Sequence, residues 1–206
     1  MTQSLPKFNP NPKFKFLIIV TFVALSISAQ GQFLKYKVVK GDKEVGQMTA
    51  LKKVNGDSIY YKLSSVTELK ILFTIRVNYD LEEKYSDGKL VWGKSQSTLN
   101  GGVQKEALLN WKDNKYIIEH TSDLYTLEEE IKYSIPEIYF SDPKKSTQVF
   151  SQVFAEYLVF EKLDERKYLL YSDDGKNTYH YDETGLCTLV EITRPYANFN
   201  LVLVDE

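Results

Sequence analysis

Apolar and polar residues alternate along most of this chain. The clearest run puts Ile71, Phe73, Ile75, Val77, Tyr79 and Leu81 on one face and Thr74, Arg76, Asn78, Asp80 and Glu82 on the other. A period of two is what a half-buried antiparallel strand requires, because successive side chains point to opposite faces of a sheet. The same pattern, less complete, predicts strands over 34–39, 48–54, 59–63, 90–99, 103–111 and 116–120. It returns over 158–163, 168–171, 178–181, 186–192 and 198–204. Between these runs stand Gly41-Asp42, Asn55-Gly56-Asp57, Asp87-Gly88, Asn100-Gly101-Gly102, Asp113-Asn114, Asp174-Gly175 and Gly185. Such residues accept positive φ or close turns with their own side chains, so each marks a hairpin. The pattern adds up to a meander of roughly ten to twelve strands.

One region, 126–157, breaks the alternation. Ser134-Ile135-Pro136-Glu137 reads as a capping box, with a side-chain acceptor, a proline in the first turn and a returning carboxylate, and predicts a short helix starting there. Val149, Phe150, Val153, Phe154 and Tyr157 fit helical spacing, yet their β-branched and aromatic character suits a strand equally well, so 143–157 stays open between the two.

So many strands with so little helix need either a second layer or closure to cover their apolar face. The expected fold is mainly β: a single-domain antiparallel meander forming a curved sheet, half-barrel or barrel, with one short helical segment near 134–157. A membrane-spanning barrel is the competing arrangement, since its strands also alternate. Charges flank several turns, many strands are short and no aromatic girdle is evident, so the chain is not expected to be an integral membrane protein.

The first residues change the picture of where this domain works. Lys7, Lys13 and Lys15 precede the apolar run Phe16 to Leu25, and small residues follow from Ser26 to Ala29. That is the layout of a cleavable signal peptide, and the run is shorter than the roughly 20 residues of a spanning helix. Cleavage after Ala29 or after Gly31 is feasible; the first leaves a leader of 1–29 and one β-rich domain of 30–206. Neither site is followed by cysteine, so a lipoprotein anchor is not expected, and the address is periplasmic or secreted. The leader carries three of the 26 basic residues and none of the 28 acidic ones, leaving 23 against 28 and a net charge of -5. Nucleic acid is a poor partner for such a chain, because phosphates need a basic face. With Cys187 as the one cysteine, no internal disulfide forms, and with His120 and His180 as the two histidines a metal site lacks its usual ligands. No cofactor is expected.

Candidate chemistry is sparse. If Asp182 to Gly185 make a four-residue loop, Tyr181 opposes Leu186 and His180 opposes Cys187, at a cross-strand Cβ separation of about 5 Å. A thiol beside an imidazole is a nucleophile or half a metal site, against the blander reading of a small structural cysteine. Glu128, Glu129 and Glu130 read as a solvated run, not as paired catalytic acids. Gly41 to Gly46 lacks the Gly-Lys-Ser/Thr ending of a phosphate loop, and there is no Gly-x-Ser-x-Gly elbow. The 15 tyrosines, all beyond the leader, suit either a ligand cleft or ordinary strand packing.

Val54-Asn55-Gly56-Asp57-Ser58 leading into Tyr60-Tyr61-Lys62-Leu63, Asp174-Gly175-Lys176-Asn177 before Tyr179, and Gly185-Leu186-Cys187-Thr188 before Val190-Glu191 carry a resemblance. Across most of the mature chain the sequence resembles an uncharacterised family of exported, β-rich proteins from Bacteroidota, known as a domain of unknown function. The resemblance implies a β-rich envelope or secreted protein and supplies no catalytic residues. The expected role is non-enzymatic: a binding or accessory protein whose curved sheet holds a lipid, another hydrophobic small molecule or a segment of an envelope protein. The alternatives are an interaction module pairing through a sheet edge and a carboxylate-based envelope hydrolase.

Overall fold

The computed structural model describes residues 30–70, 73–144, 146–195 and 197–204; the predicted leader and Ile71 lie outside them. The alternating runs form β1 (Gln30–Lys40), β2 (Lys43–Asn55), β3 (Ser58–Lys70), β4 (Thr74–Ser86), β5 (Lys89–Leu99), β6 (Gly102–Lys112) and β7 (Lys115–His120). They continue as β8 (Asp123–Leu127), β9 (Gln148–Ser151), β10 (Glu156–Asp164), β11 (Lys167–Ser172), β12 (Gly175–Tyr181), β13 (Cys187–Arg194) and β14 (Ala197–Leu203). The described residues thus form fourteen strands, more than the meander predicted: β9 lies in the region whose pattern breaks, and β8 is a short strand that runs into it. The undecided stretch 143–157 becomes β9, a turn and the start of β10, so its aromatic and β-branched residues follow strand propensity and not helical spacing.

All neighbours pair antiparallel, in the order β8-β7-β6-β5-β4-β3-β2-β1-β14-β13-β12-β11-β10-β9. Every strand sits beside its sequence neighbour, β1 joins β14, and only β8 and β9 are left apart. The architecture is an up-and-down ring opened at one seam. Turns such as Asp87-Gly88 and Asn100-Gly101 have positive φ at both central residues, the geometry whose twist matches a hairpin.

A ring of this many strands encloses more space than wall side chains fill, since about eight strands already give an interior just wide enough for them. The connection from β8 to β9 supplies the missing volume by turning inward. It buries Ile131 and Ile138 completely and forms one 3-10 helix, Ile135–Tyr139, where Pro136 presets the first turn. The helix starts where the capping box predicted, but Ser134 makes no side-chain cap; its hydroxyl turns to Glu83 instead.

Backbone polar groups of a buried segment need partners, and the walls provide them. Leu90 N–H donates to Ile131 O at 2.9 Å, Phe150 N–H donates to Tyr133 O at 3.0 Å, and Ile131 N–H donates to the Tyr116 hydroxyl at 2.9 Å. Tyr116 itself donates to Leu90 O at 2.8 Å. Around this plug, inward tyrosines meet edge to face, Tyr36 with Tyr139 at 5.7 Å, Tyr61 with Tyr85 at 5.8 Å and Tyr168 with Tyr181 at 5.8 Å between ring centroids. Much of the tyrosine content is therefore packed core.

The turn after β9 ties the seam together. Gln152, wholly buried, sends its amide to Ala107 O at 3.4 Å, and His120 Nε2 bonds Val153 O at 2.9 Å. Gly93 makes room for this, because a Cβ there would stand 2.4 Å from the Gln152 side-chain oxygen.

The outward face of β3 and β4 carries a lattice of polar pairs. Lys62 pairs with Glu82 at 3.0 Å, Arg76 with Glu68 at 2.9 Å, and Ser64 donates to Asp80 at 2.6 Å. A lipid-spanning wall needs an apolar band of about 25 Å, which this charged lattice interrupts. No helix of the described residues is long and apolar enough to cross a membrane.

Candidate functional site

Antiparallel order places the β1–β2, β3–β4, β5–β6, β11–β12 and β13–β14 turns at one end of the ring. Beneath that end lies a cavity of about 270 Å³. Its floor is the 3-10 helix, through Ile135 and Tyr139, and its lower wall is apolar, with Met48, Leu158, Leu170 and Leu201. Level with Met48 and above it, small polar side chains take inward positions: Ser65, its cross-strand partner, and Thr67 on β3, Ser97 on β5, Ser172 on β11. The cavity exists because these short side chains replace the large ones that fill the ring below. A second hollow of about 390 Å³, at the opposite end, is walled by hairpin residues such as Asn55, Ser58 and Ser86 and carries no acid, histidine or cysteine.

The mouth of the first cavity is charged. Lys105, on β6, reaches Asp174, in the β11–β12 turn, at 3.3 Å, and its ammonium also lies 4.0 Å above the Phe154 ring. β6 and the β11–β12 turn stand on the two sides of the seam, so the pair bridges it at the mouth. Arg194, at the end of β13, is fixed through Nη1 by Asn177 Oδ1 at 2.9 Å and Thr193 O at 3.0 Å. Nearby, Tyr179 lines the cavity, and burial pushes its hydroxyl up to about 12.

Below the helix floor lies a different polar group. Glu83 is completely buried: Ser134 donates to its Oε2, Tyr85 donates to Ser134 Oγ at 2.6 Å, and its Oε1 has no partner. Burial raises its pKa to about 8, against the Ser134 bond, and raises that of Glu137 nearby, where Lys52 pulls the other way. Glu83 therefore keeps its proton at neutral pH. It lies in the core, outside the cavity lining. The cavity's one lining carboxylate is Asp174, already in its ion pair. Among the described residues that line it, no two acids face each other across a cleft, the requirement of a carboxylate hydrolase.

His180 and Cys187 are not brought together. A bulge between His180 and Tyr181 shifts the register, so that Tyr181 opposes Cys187 and His180 opposes Leu189. The extra residue turns the two side chains to opposite faces. His180 faces outward and bonds Glu191 at 2.9 Å, which holds that carboxyl below its ordinary range. Cys187 faces inward, fully buried, and burial pushes its thiol up to about 12, the reverse of an activated nucleophile. The loop responsible is held by Asp182, whose Oδ1 accepts from Thr184 N–H at 2.8 Å and Leu186 N–H at 3.0 Å. Among the described residues no group of three His, Cys, Asp or Glu side chains is placed to hold a metal ion.

Lys105, Arg194 and Glu83 were not singled out by sequence reasoning, although the signal was present. Each continues the inward parity of its strand: Lys105 that of Ala107 and Leu109, Arg194 that of Val190 and Ile192, Glu83 that of Tyr79 and Leu81.

Comparison with known proteins places the fold. A solved structure described as a beta-barrel-like protein of domain of unknown function DUF1849 from Brucella abortus superposes with a TM-score of 0.55 at 10% identity, covering 86% of this chain and 96% of that one. The likeness is one of fold alone. No curated protein matches the chain. A family model described as domain of unknown function DUF6134 matches residues 36–204, and the chain belongs to that family.

Proposed function

We propose that this protein is a non-catalytic binding protein that holds a small apolar molecule in the cavity at the turn-bearing end of the ring. The observation that carries this reading is the cavity itself, with an apolar floor on a buried helix and a mouth at the protein surface. Its volume of about 270 Å³ is close to the lower end of small-molecule sites, about 300 Å³. Phe73, 66% exposed, stands at the β3–β4 turn at the same end, and Val103, 50% exposed, follows the β5–β6 turn. These apolar side chains suit a molecule arriving from an apolar phase.

The test is uptake of an apolar fluorophore by delipidated protein, compared with Ser65→Phe, which fills the cavity from β3. Uptake by the wild type and its loss in the variant, with an unchanged melting temperature, support the reading. Equal uptake by both, or none by the wild type, removes it.

The leader sequence supports export and work in the periplasm or outside the cell, in keeping with an envelope role. N-terminal sequencing of protein from the native host checks this: a mature chain beginning near Gln30 supports export, and a retained Met1 or Thr2 counters it. A second reading has its own observation. β8 ends the sheet, and Leu124, 69% exposed, and Tyr125, 46% exposed, stand on it. An extended partner segment would pair along that edge, and Thr126→Pro, which disrupts the strand, would abolish capture of such a partner while leaving fluorophore uptake intact.

A further inference from the structure

Resting on the cavity reading above, we infer that the ligand is an anionic amphiphile with a single carboxylate head, bound head outward at Arg194 with its chain in the apolar floor.

Three charged side chains line the cavity: Lys105, Asp174 and Arg194. Lys105 and Asp174 neutralise one another at 3.3 Å. Arg194 has no such compensation. Its acceptors are Asn177 Oδ1, Thr193 O and Lys176 O, all neutral and all reached through Nη1, and it forms no ion pair among the described residues. The guanidinium is thus held in position by one corner, while Nη2 and Nε have no acceptor among the described residues. Those two donors form the edge that takes a carboxylate in two parallel bonds.

The surroundings are built for this arrangement. Gly175, at φ +136°, lets the Thr193 carbonyl that holds Arg194 approach the turn, because a Cβ there would overlap Thr193 O and press on Arg194 Nη1 at 3.3 Å. Net charge sets the head group: two cations against one anion leave one positive charge, which a monoanion balances and a phosphate dianion would exceed. Volume sets the tail. About 270 Å³ holds roughly nine groups of water size, at ~30 Å³ each, which corresponds to a chain of about eight to ten carbons.

The experiment compares decanoate, decanol and decyltrimethylammonium by calorimetric titration of the delipidated full-length mature protein, in the wild type, Arg194→Gln and Arg194→Lys. Decanoate is expected to bind the wild type about ten-fold tighter than decanol, as one charge-assisted head-group contact provides. The ammonium compound is expected to bind more weakly than both. Arg194→Gln is expected to bind decanoate no better than decanol, and Arg194→Lys to keep part of the preference. A melting temperature equal to that of the wild type shows that each variant is folded. Equal affinity of the wild type for decanoate and decanol, or a preference that survives in Arg194→Gln, overturns the inference while leaving the cavity reading in place. Failure of all three compounds and of the apolar fluorophore to bind overturns both.

Discussion

Replacing Glu83 by glutamine is expected to remove a pH dependence of stability that the buried carboxyl imposes on the whole fold. In the native protein its pKa is raised to about 8 from 4.5, chiefly by burial. Between those values the folded chain keeps a proton that the unfolded chain releases, so the unfolded state binds fewer protons and stability falls as pH rises. The contribution is fully present below pH 4.5 and lost above about pH 8. Each unit of difference is worth about 1.4 kcal/mol, so linkage puts the loss between pH 5 and pH 8 at about 3–4 kcal/mol. Glutamine has the shape of the protonated acid and no titration, and Ser134 still has an oxygen to donate to. Urea unfolding of both proteins across that pH range checks the expectation, and the difference between the two stability curves cancels the titrations they share, Glu137 included. The wild type is expected to lose ground to the variant steadily with rising pH. Parallel curves would refute the reasoning, because they would mean Glu83 ionises in its buried site as readily as in the unfolded chain.

Further outcomes follow from the plug and the seam. Ile138→Ala empties a completely buried position beneath the cavity floor and is expected to cost about 2–5 kcal/mol in urea unfolding. Ser134→Ala strands the Tyr85 hydroxyl and removes the donor to Glu83, with an expected loss of about 1–3 kcal/mol. Asp174→Asn breaks a half-exposed ion pair and is expected to change stability by no more than about 1 kcal/mol, so any larger effect on ligand uptake reads the mouth and not the fold. Cys187, buried and with its thiol pushed up to about 12, is expected to resist alkylation at neutral pH in the native protein and to react rapidly in urea.

Strand existence was legible because one physical requirement, inward apolar and outward polar, repeats every second residue for most of the chain, and turn residues such as Asp87-Gly88 punctuate it. The curved or barrel-like sheet followed from the number of strands. What the alternation could not report is how the ring is completed. β8 and β9 lie on either side of a segment whose residues serve an interior on all sides, so Ile131, Ile138 and Tyr139 show no face to read. The capping box located the helix but misassigned Ser134, since the oxygen that a cap would use as acceptor takes the Tyr85 hydroxyl, while its proton goes to the buried Glu83.

The site shows the same division. Inward parity identifies Lys105 and Arg194 as charges aimed into the ring, a signal visible in the strands that contain them. Their partners were not visible: Lys105 meets Asp174 across 69 residues, a contact set by the ring order and by the seam. One bulge at His180 was enough to reverse the facing of Cys187, because a register shift of a single residue exchanges the two faces of a strand. The expected domain of unknown function agrees with the family the chain belongs to, which is defined over 36–204.

The most direct test of the central claim is a crystal structure of the delipidated protein grown with decanoate. Density is expected for one chain lying on Ile135 and Tyr139, with its carboxylate against Arg194 and the Lys105–Asp174 pair beside it. A structure determined under the same conditions with the cavity filled only by water, or with decanoate bound elsewhere on the surface, would contradict it.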